Sequence, residues 1–149
     1  LEKEIGIEKA FNYKKIDNLI PEYRSEIKGG IDVYFDNVGG THLEAGINIL
    51  NTGGRIALCG MIDQYNDPNI KNGPSNLIML IMKNASIEGF IVSKYNHLQE
   101  KFLEDMKNWS NSGKLIWKET VLEGIDLAPK AFINLFSGEN TGKMLVKIH

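Results

Sequence analysis

Cysteine is nearly absent: Cys59 stands alone among 149 residues. A single cysteine excludes an internal disulfide framework and a cysteine-rich zinc site, and it fits a reducing, cytoplasmic compartment. A dominant charge is missing too. The net charge of -2 offers no general attraction to nucleic acid or to an anionic membrane, so an anionic ligand must be held by local groups. No apolar run approaches the roughly 20 residues that span a bilayer. The histidines, His42, His97 and His149, show no metal-ligand spacing, so no metal site is expected. Glu100 and Glu104 share a solvated helix face and are not a facing glycosidase pair. Lysines and aromatics do not interleave as they do in nucleic-acid binders.

What is present is ordinary for a globular chain, with 42% hydrophobic and 24% charged residues, enough for one domain with a real core. Residues 1–6, LEKEIG, read as the last turns of a helix stopped by Gly6, and a chain that opens this way is expected to be a cut piece. Residues 10–14 predict a short strand. Residues 16–28 predict a helix started by Asp17 or Asn18 and stopped by Gly29-Gly30. A strand over 31–38 follows, then a helix over 43–50 with Leu43, Ile47 and Leu50 on one face. Gly53-Gly54 separates that helix from a strand over 55–59. Residues 61–75 lack any period and read as a long irregular loop, a type that is usually functional in compact domains. A buried helix is expected over 77–83 and a strand over 85–92. An amphipathic helix over 97–110 turns Phe102, Leu103, Met106 and Trp109 to one side. A strand over 116–122, a helix over 127–136 with Ala131, Phe132 and Leu135 inward, and a last strand over 143–148 complete the chain. This alternation predicts a mostly parallel α/β sheet, with no internal repeat and no obvious linker.

Two runs say most about function. Ile31-Asp-Val-Tyr-Phe-Asp-Asn-Val-Gly-Gly40 and Gly54-Arg-Ile-Ala-Leu-Cys-Gly60 are apolar and end in small residues. Parallel strands of this kind open at their carboxyl ends into a ligand crevice. Glycine there lets backbone approach a ligand, though Gly39-Gly40 equally suits a plain sharp turn. Cys59 is more simply a small buried hydrophobe than a nucleophile, since no histidine or second cysteine activates it. Tyr65 in a polar loop is an ordinary surface amphipath, Tyr13 a cross-strand aromatic, Phe90, Ile91 and Val92 core, and Asn140 a turn residue.

The segments DVYFDNVGG and GRIALCGMIDQYN resemble the NADP-dependent, zinc-independent medium-chain reductases, in particular the prostaglandin reductase and alkenal (enone) reductase group. The resemblance covers nearly the whole chain. It implies the C-terminal part of a Rossmann-type doubly wound parallel sheet, with residues 1–112 a partial NADP-binding domain. Residues 113–149 would then be elements returning to a substrate domain absent from this chain. The phosphate-cradling glycine loop and the first strands are absent as well, so this chain alone is expected to bind NADP(H) weakly and to be inactive. Cut off from that domain, the last elements would expose Trp117, Val121 and Phe132.

The resemblance also assigns residues. Tyr65 would lie by the nicotinamide ribose and donate a hydrogen bond to the substrate carbonyl as negative charge develops there. Asn37, Cys59, Gly60 and the backbone of Phe90, Ile91 and Val92 would line the cofactor, Tyr13 its adenosine end, and Asn140 would reach it too. The strand over 85–92 would pair with its copy in a homodimer. The expected activity of the full-length parent is NADPH-dependent reduction of the carbon–carbon double bond of an α,β-unsaturated carbonyl, or of a quinone. The alternatives are a non-catalytic nucleotide-binding or interaction module and a class I methyltransferase fragment. The latter needs an acidic residue ending an early strand and a final antiparallel hairpin.

Overall fold

The computed structural model describes residues 1–66, 68–69 and 72–148; three positions of the 61–75 loop and His149 lie outside the described residues. The chain forms two compact units, Leu1–His97 and Leu98–His149.

The first unit opens with α1 (Glu2–Ile5), closed by Gly6 in the left-handed region at φ 79°. No strand forms over 10–14. The Asn12 side chain accepts from the Lys14 N–H at 3.2 Å and bends Tyr13–Lys15 into a 3-10 turn. Such a local bond offers the backbone an alternative to a sheet ladder. Asn18 caps α2 (Leu19–Glu26) through a 3.1 Å bond from the Ile20 N–H. The sheet then begins with β1 (Ile31–Asp36), crosses over through α3 (Gly40–Ile49), and returns as β2 (Leu50–Leu58). β2 starts directly at the end of α3, earlier than Gly53-Gly54 implied. Its ladder with β1 pairs Ile31 with Leu50, breaks, and resumes with Val33 opposite Arg55. The glycines lie inside that irregularity, and the Gly53 N–H donates to the Lys83 carbonyl.

The loop that follows contains a short helix, α4 (Ile62–Tyr65). α5 (Ile78–Met82) then leads into β3 (Ser86–Gly89), which pairs in parallel with β2. The sheet order is β1-β2-β3, all parallel. α5 was expected to be buried and is not: Ile78, Ile81 and Met82 are 59%, 78% and 72% exposed. So short a helix turns only Met79 and Leu80 onto the core of Leu43, Ile47, Leu50 and Ile56. β3 is shorter than expected because the chain leaves the strand after Gly89 and curls into two 3-10 turns within Val92–Leu98, kinked at Tyr95.

The core sits between α3 and the sheet. Gly46 allows the helix onto the Tyr34 ring, since an added Cβ would lie 2.7 Å from it. Lys83 closes the other end of α3, donating to the carbonyls of Asn48 at 2.7 Å and Leu50 at 2.5 Å. A cation at a helix C-terminus meets both unpaired carbonyls and the helix dipole.

The second unit holds α6 (Gln99–Asn111) and a parallel βαβ turn of β4 (Glu119–Glu123), α7 (Ala128–Ser137) and β5 (Lys143–Lys147). Ala131 is buried, as expected, but Phe132 and Leu135 are exposed, as are Phe102, Leu103 and Trp109 of α6. Trp117, Val121 and Phe132 are exposed as the resemblance implied. The α/β class with parallel sheets matches the sequence expectation.

Candidate functional site

Asp36, the last residue of β1, is the one buried charged side chain among the described residues, 1% exposed. Its Oδ1 accepts from the Val38 N–H at 3.0 Å and its Oδ2 from the Gly39 N–H at 3.0 Å. Tyr34 donates its hydroxyl to the same carboxylate at 3.4 Å. Burial first, and then the Asp36 charge, pushes the Tyr34 phenol far above its usual range. The Asp36 carbonyl accepts from the Cys59 N–H at 2.8 Å and the Gly60 N–H at 3.2 Å. One residue therefore ties the end of β1 to the end of β2. Gly39 donates its N–H back to Asp36 and, at φ 76°, turns the chain onward into α3, a conformation that favours glycine. The turn's N–H groups serve the protein's own carboxylate.

Beyond the two strand ends, the Asn37 carbonyl accepts from the Ile62 N–H at 3.2 Å and the Val38 carbonyl from the Asp63 N–H at 3.0 Å. These bonds seat α4 and with it Tyr65. The Tyr65 hydroxyl oxygen accepts from the Met61 N–H at 3.3 Å. Gly60 makes room for it, because an added Cβ would lie 3.3 Å from that oxygen and 3.2 Å from the Asn37 carbonyl.

A cavity of 690 Å³ opens here, at the carboxyl ends of β2 and β3. Five residues expected at a site line it together: Cys59, Gly60, Tyr65, Phe90 and Ile91. It is a shallow depression, broadly open to solvent, and Lys94 is its charged wall residue among the described residues. Cys59 is exposed on this wall rather than buried. Phe90 stacks edge-on between Phe35 and Tyr95, with centroids 5.8 and 5.6 Å away. Val92 is 74% exposed and is not part of the lining.

Tyr13 lies elsewhere in the first unit, in a smaller cavity of 350 Å³ with Asp17, Thr41, His42 and Glu44. Its ring meets His42 edge-on at 5.1 Å. Asn140 belongs to the second unit, where its side chain donates to the Gly142 carbonyl at 2.7 Å and shapes the turn before β5. Sequence reasoning missed Asp36, Met61 and Gln64. The signal for Asp36 was available: Asp followed by Asn-Val-Gly is a side-chain-stabilised turn in the making. Among the described residues, no group of three His, Cys, Asp or Glu side chains could hold a metal ion, and no helix is long and apolar enough to cross a membrane.

Residues 1–108 match the family model described as zinc-binding dehydrogenase. The NADP(+)-dependent 2-alkenal reductase of Nicotiana tabacum is 42% identical over 99% of this chain and 43% of its own length. Prostaglandin reductase 1 of Rattus norvegicus is 40% identical over 97% of this chain and 44% of its length. Among solved structures, CurA from Vibrio vulnificus in complex with NADPH superposes with a TM-score of 0.88 at 36% identity, over 99% of this chain and 45% of CurA. The chain thus spans less than half the length of the relatives it matches. By that family match and these likenesses, the chain belongs to the zinc-binding dehydrogenase family.

Proposed function

We propose that the protein carrying this chain is an NADPH-dependent reductase of the carbon–carbon double bond of α,β-unsaturated carbonyls, or of quinones. The observation that carries this reading is the cavity at the carboxyl ends of β2 and β3, into which Cys59, Gly60, Tyr65, Phe90 and Ile91 converge. Relatives named for 2-alkenal and prostaglandin reduction, and the NADPH complex of CurA, support the same reading. The residues present fit a nicotinamide ring: a flat wall of Cys59 and Gly60, the aromatic edge of Phe90, and a glycine where any side chain would crowd the wall. When bound, NADPH supplies a hydride to the substrate's β-carbon.

The chain's own part is position and electrostatics. Tyr65 accepts from the Met61 N–H, which leaves its phenolic hydrogen for the substrate's carbonyl oxygen. As negative charge gathers on that oxygen, the bond strengthens and lowers the barrier. A proton taken up at the α-carbon completes the reduction. In this reading Asn37, Val92 and Asn140 also reach the cofactor, Tyr13 its adenosine end, and no zinc takes part. Residues 1–112 form the cofactor domain's second half, and residues 113–149 return to a substrate domain. A homodimer joins through the edge segment 85–92, which holds β3 and whose Ile87 and Ile91 are exposed, and the enzyme works in the cytoplasm. The final pair β4 and β5 is parallel, which disfavours a methyltransferase's closing antiparallel hairpin.

The test is NADPH oxidation by the full-length protein with a short-chain 2-alkenone. Tyr65→Phe is expected to lower kcat by roughly tenfold to a hundredfold, with the NADPH Kd within about twofold, because the developing charge loses its donor while the ring stays and the Met61 N–H loses only a long 3.3 Å bond. Full turnover by Tyr65→Phe removes Tyr65 from catalysis. No NADPH consumption with any enone or quinone removes the reductase reading.

A further inference from the structure

We infer that Asp36 is a positioning residue that presets the cofactor wall, acting through the turn that follows it. This rests on the reductase reading and adds to it a residue that touches neither cofactor nor substrate. The carboxylate takes the N–H groups of Val38 and Gly39, and the carbonyl of the same residue takes those of Cys59 and Gly60. The wall residues Cys59 and Gly60, and Asn37 beside the lining, therefore share one anchor at the junction of β1 and β2. The next step out depends on it as well. The Asn37 and Val38 carbonyls, fixed by that turn, hold the first N–H groups of α4, and α4 carries Tyr65.

Asp36 is 1% exposed, so water cannot replace its oxygens for those N–H groups. A buried donor left without an acceptor is costly, and a turn deprived of its acceptor rearranges. A mobile wall must then be ordered when the nicotinamide enters, and that ordering is charged against binding. Such a wall weakens cofactor binding before it affects the chemistry of a bound ternary complex.

The chosen variant is Asp36→Asn in the full-length protein. Asparagine keeps Oδ1, which accepts from Val38 at 3.0 Å and from Gly39 at 3.2 Å, but sets an NH2 donor against the Gly39 N–H in place of Oδ2, its nearer acceptor, so the turn is unsettled with little change in volume. Gly39→Ala unsettles the same turn from the other side, since φ 76° strains any Cβ and Met61 lies 3.3 Å from it. NADPH binding is titrated by the cofactor's fluorescence, amide exchange over residues 37–40 and 59–65 is followed without cofactor, and both KM values are determined. Asp36→Asn is expected to raise the NADPH Kd at least roughly tenfold and to speed exchange in both segments. The enone KM at saturating NADPH stays within about twofold. The effects of Asp36→Asn and Gly39→Ala on Kd are expected to be far from additive, because both act on one turn.

An unchanged NADPH Kd in a folded Asp36→Asn protein overturns the inference, as does a general loss in which exchange quickens across the whole first unit and both KM values rise together. Additive effects of the two substitutions overturn it too, and this holds even if each variant is partly unfolded. If the unsubstituted protein binds no NADPH, the reductase reading fails and the inference with it, an outcome distinct from equal binding by both proteins.

Discussion

The two units of this chain are built from similar elements and differ sharply in what those elements bury. In the first, Leu43, Ala45, Ile47 and Ile56 are at most 2% exposed, and α3 lies against β1 and β2 with a glycine opening at the Tyr34 ring. In the second, Ala131 is the one buried hydrophobe among the described residues, while Phe132, Ile133, Leu135 and Phe136 of α7 are 62%, 65%, 47% and 55% exposed. Both have parallel strands joined by a helix, so hydrogen-bonded topology is not what separates them. A parallel sheet normally has both faces covered. The first unit covers one face with α3, and there its stability resides. The candidate cavity is on that unit, at the strand ends that the core holds in place.

The substitution expected to cost most is Ile47→Ala. Ile47 is 0% exposed, and truncating such a side chain costs about 2–5 kcal/mol through lost transfer energy and the cavity left behind. In the 149-residue chain, hydrogen exchange of amides in β1 and β2 should quicken accordingly, while those of β4 and β5 keep their rates. Equal loss in both units would mean they unfold as one and would break the comparison.

Much of the first unit was legible in the sequence because apolar runs end in glycine where strands end. Thus Ile31-Asp-Val-Tyr-Phe and Arg-Ile-Ala-Leu read correctly as strands, and the cap of α2 was narrowed to Asp17 or Asn18, of which Asn18 serves. The failures share a cause. Residues 10–14 look like a strand and the apolar run around α5 looks like a core helix, but local composition reports a tendency and not the presence of a partner. At 10–14 the Asn12 side chain captured the backbone. At α5 the run is too short to bury more than one side. The site divides in the same way. Cys59 and Gly60 follow from the rule that parallel strand ends open into a crevice, which can be read in sequence; Tyr65, Phe90 and Ile91, which line it with them, were expected there through the family resemblance, their residue types alone suggesting surface and core. Asp36 was passed over because its burial comes from N–H groups donated across a turn, which no hydrophobic pattern records.

A smaller effect, and one with a pH signature, is expected at Tyr34. Its hydroxyl makes two long bonds, to Asp36 at 3.4 Å and to the His42 carbonyl at 3.3 Å. Tyr34→Phe should therefore cost roughly 0.5–1 kcal/mol near neutral pH. The folded phenol holds its proton above the ordinary value of 10.0, chiefly through burial and then the Asp36 charge. Between that value and the raised one, the folded state binds more protons than the unfolded state, so stability falls as pH rises. Below pH 10 the contribution is complete. Urea midpoints measured from pH 8 to about 11 should decline in the unsubstituted chain and decline less in Tyr34→Phe. Equal slopes would place the loss at other groups.

The smallest effect is expected where hydrophobicity alone would suggest a large one. Phe132 sits on α7 with its ring edge-on to Phe136 at 5.3 Å, yet it is 62% exposed. A buried phenylalanine costs about 3–5 kcal/mol when truncated; an exposed one away from special features changes stability within about 0.5 kcal/mol. Phe132→Ser in the 149-residue chain should leave amide exchange in β4 and β5 nearly unchanged and improve solubility by breaking an apolar patch. The same substitution in the full-length protein sharpens the comparison between units. There a loss near 3 kcal/mol would mean that the rest of the protein covers α7, so that the second unit's core is completed from outside this chain. Equal indifference in both forms would leave α7 a solvent-facing helix, and the proposal that residues 113–149 return to a substrate domain would fall.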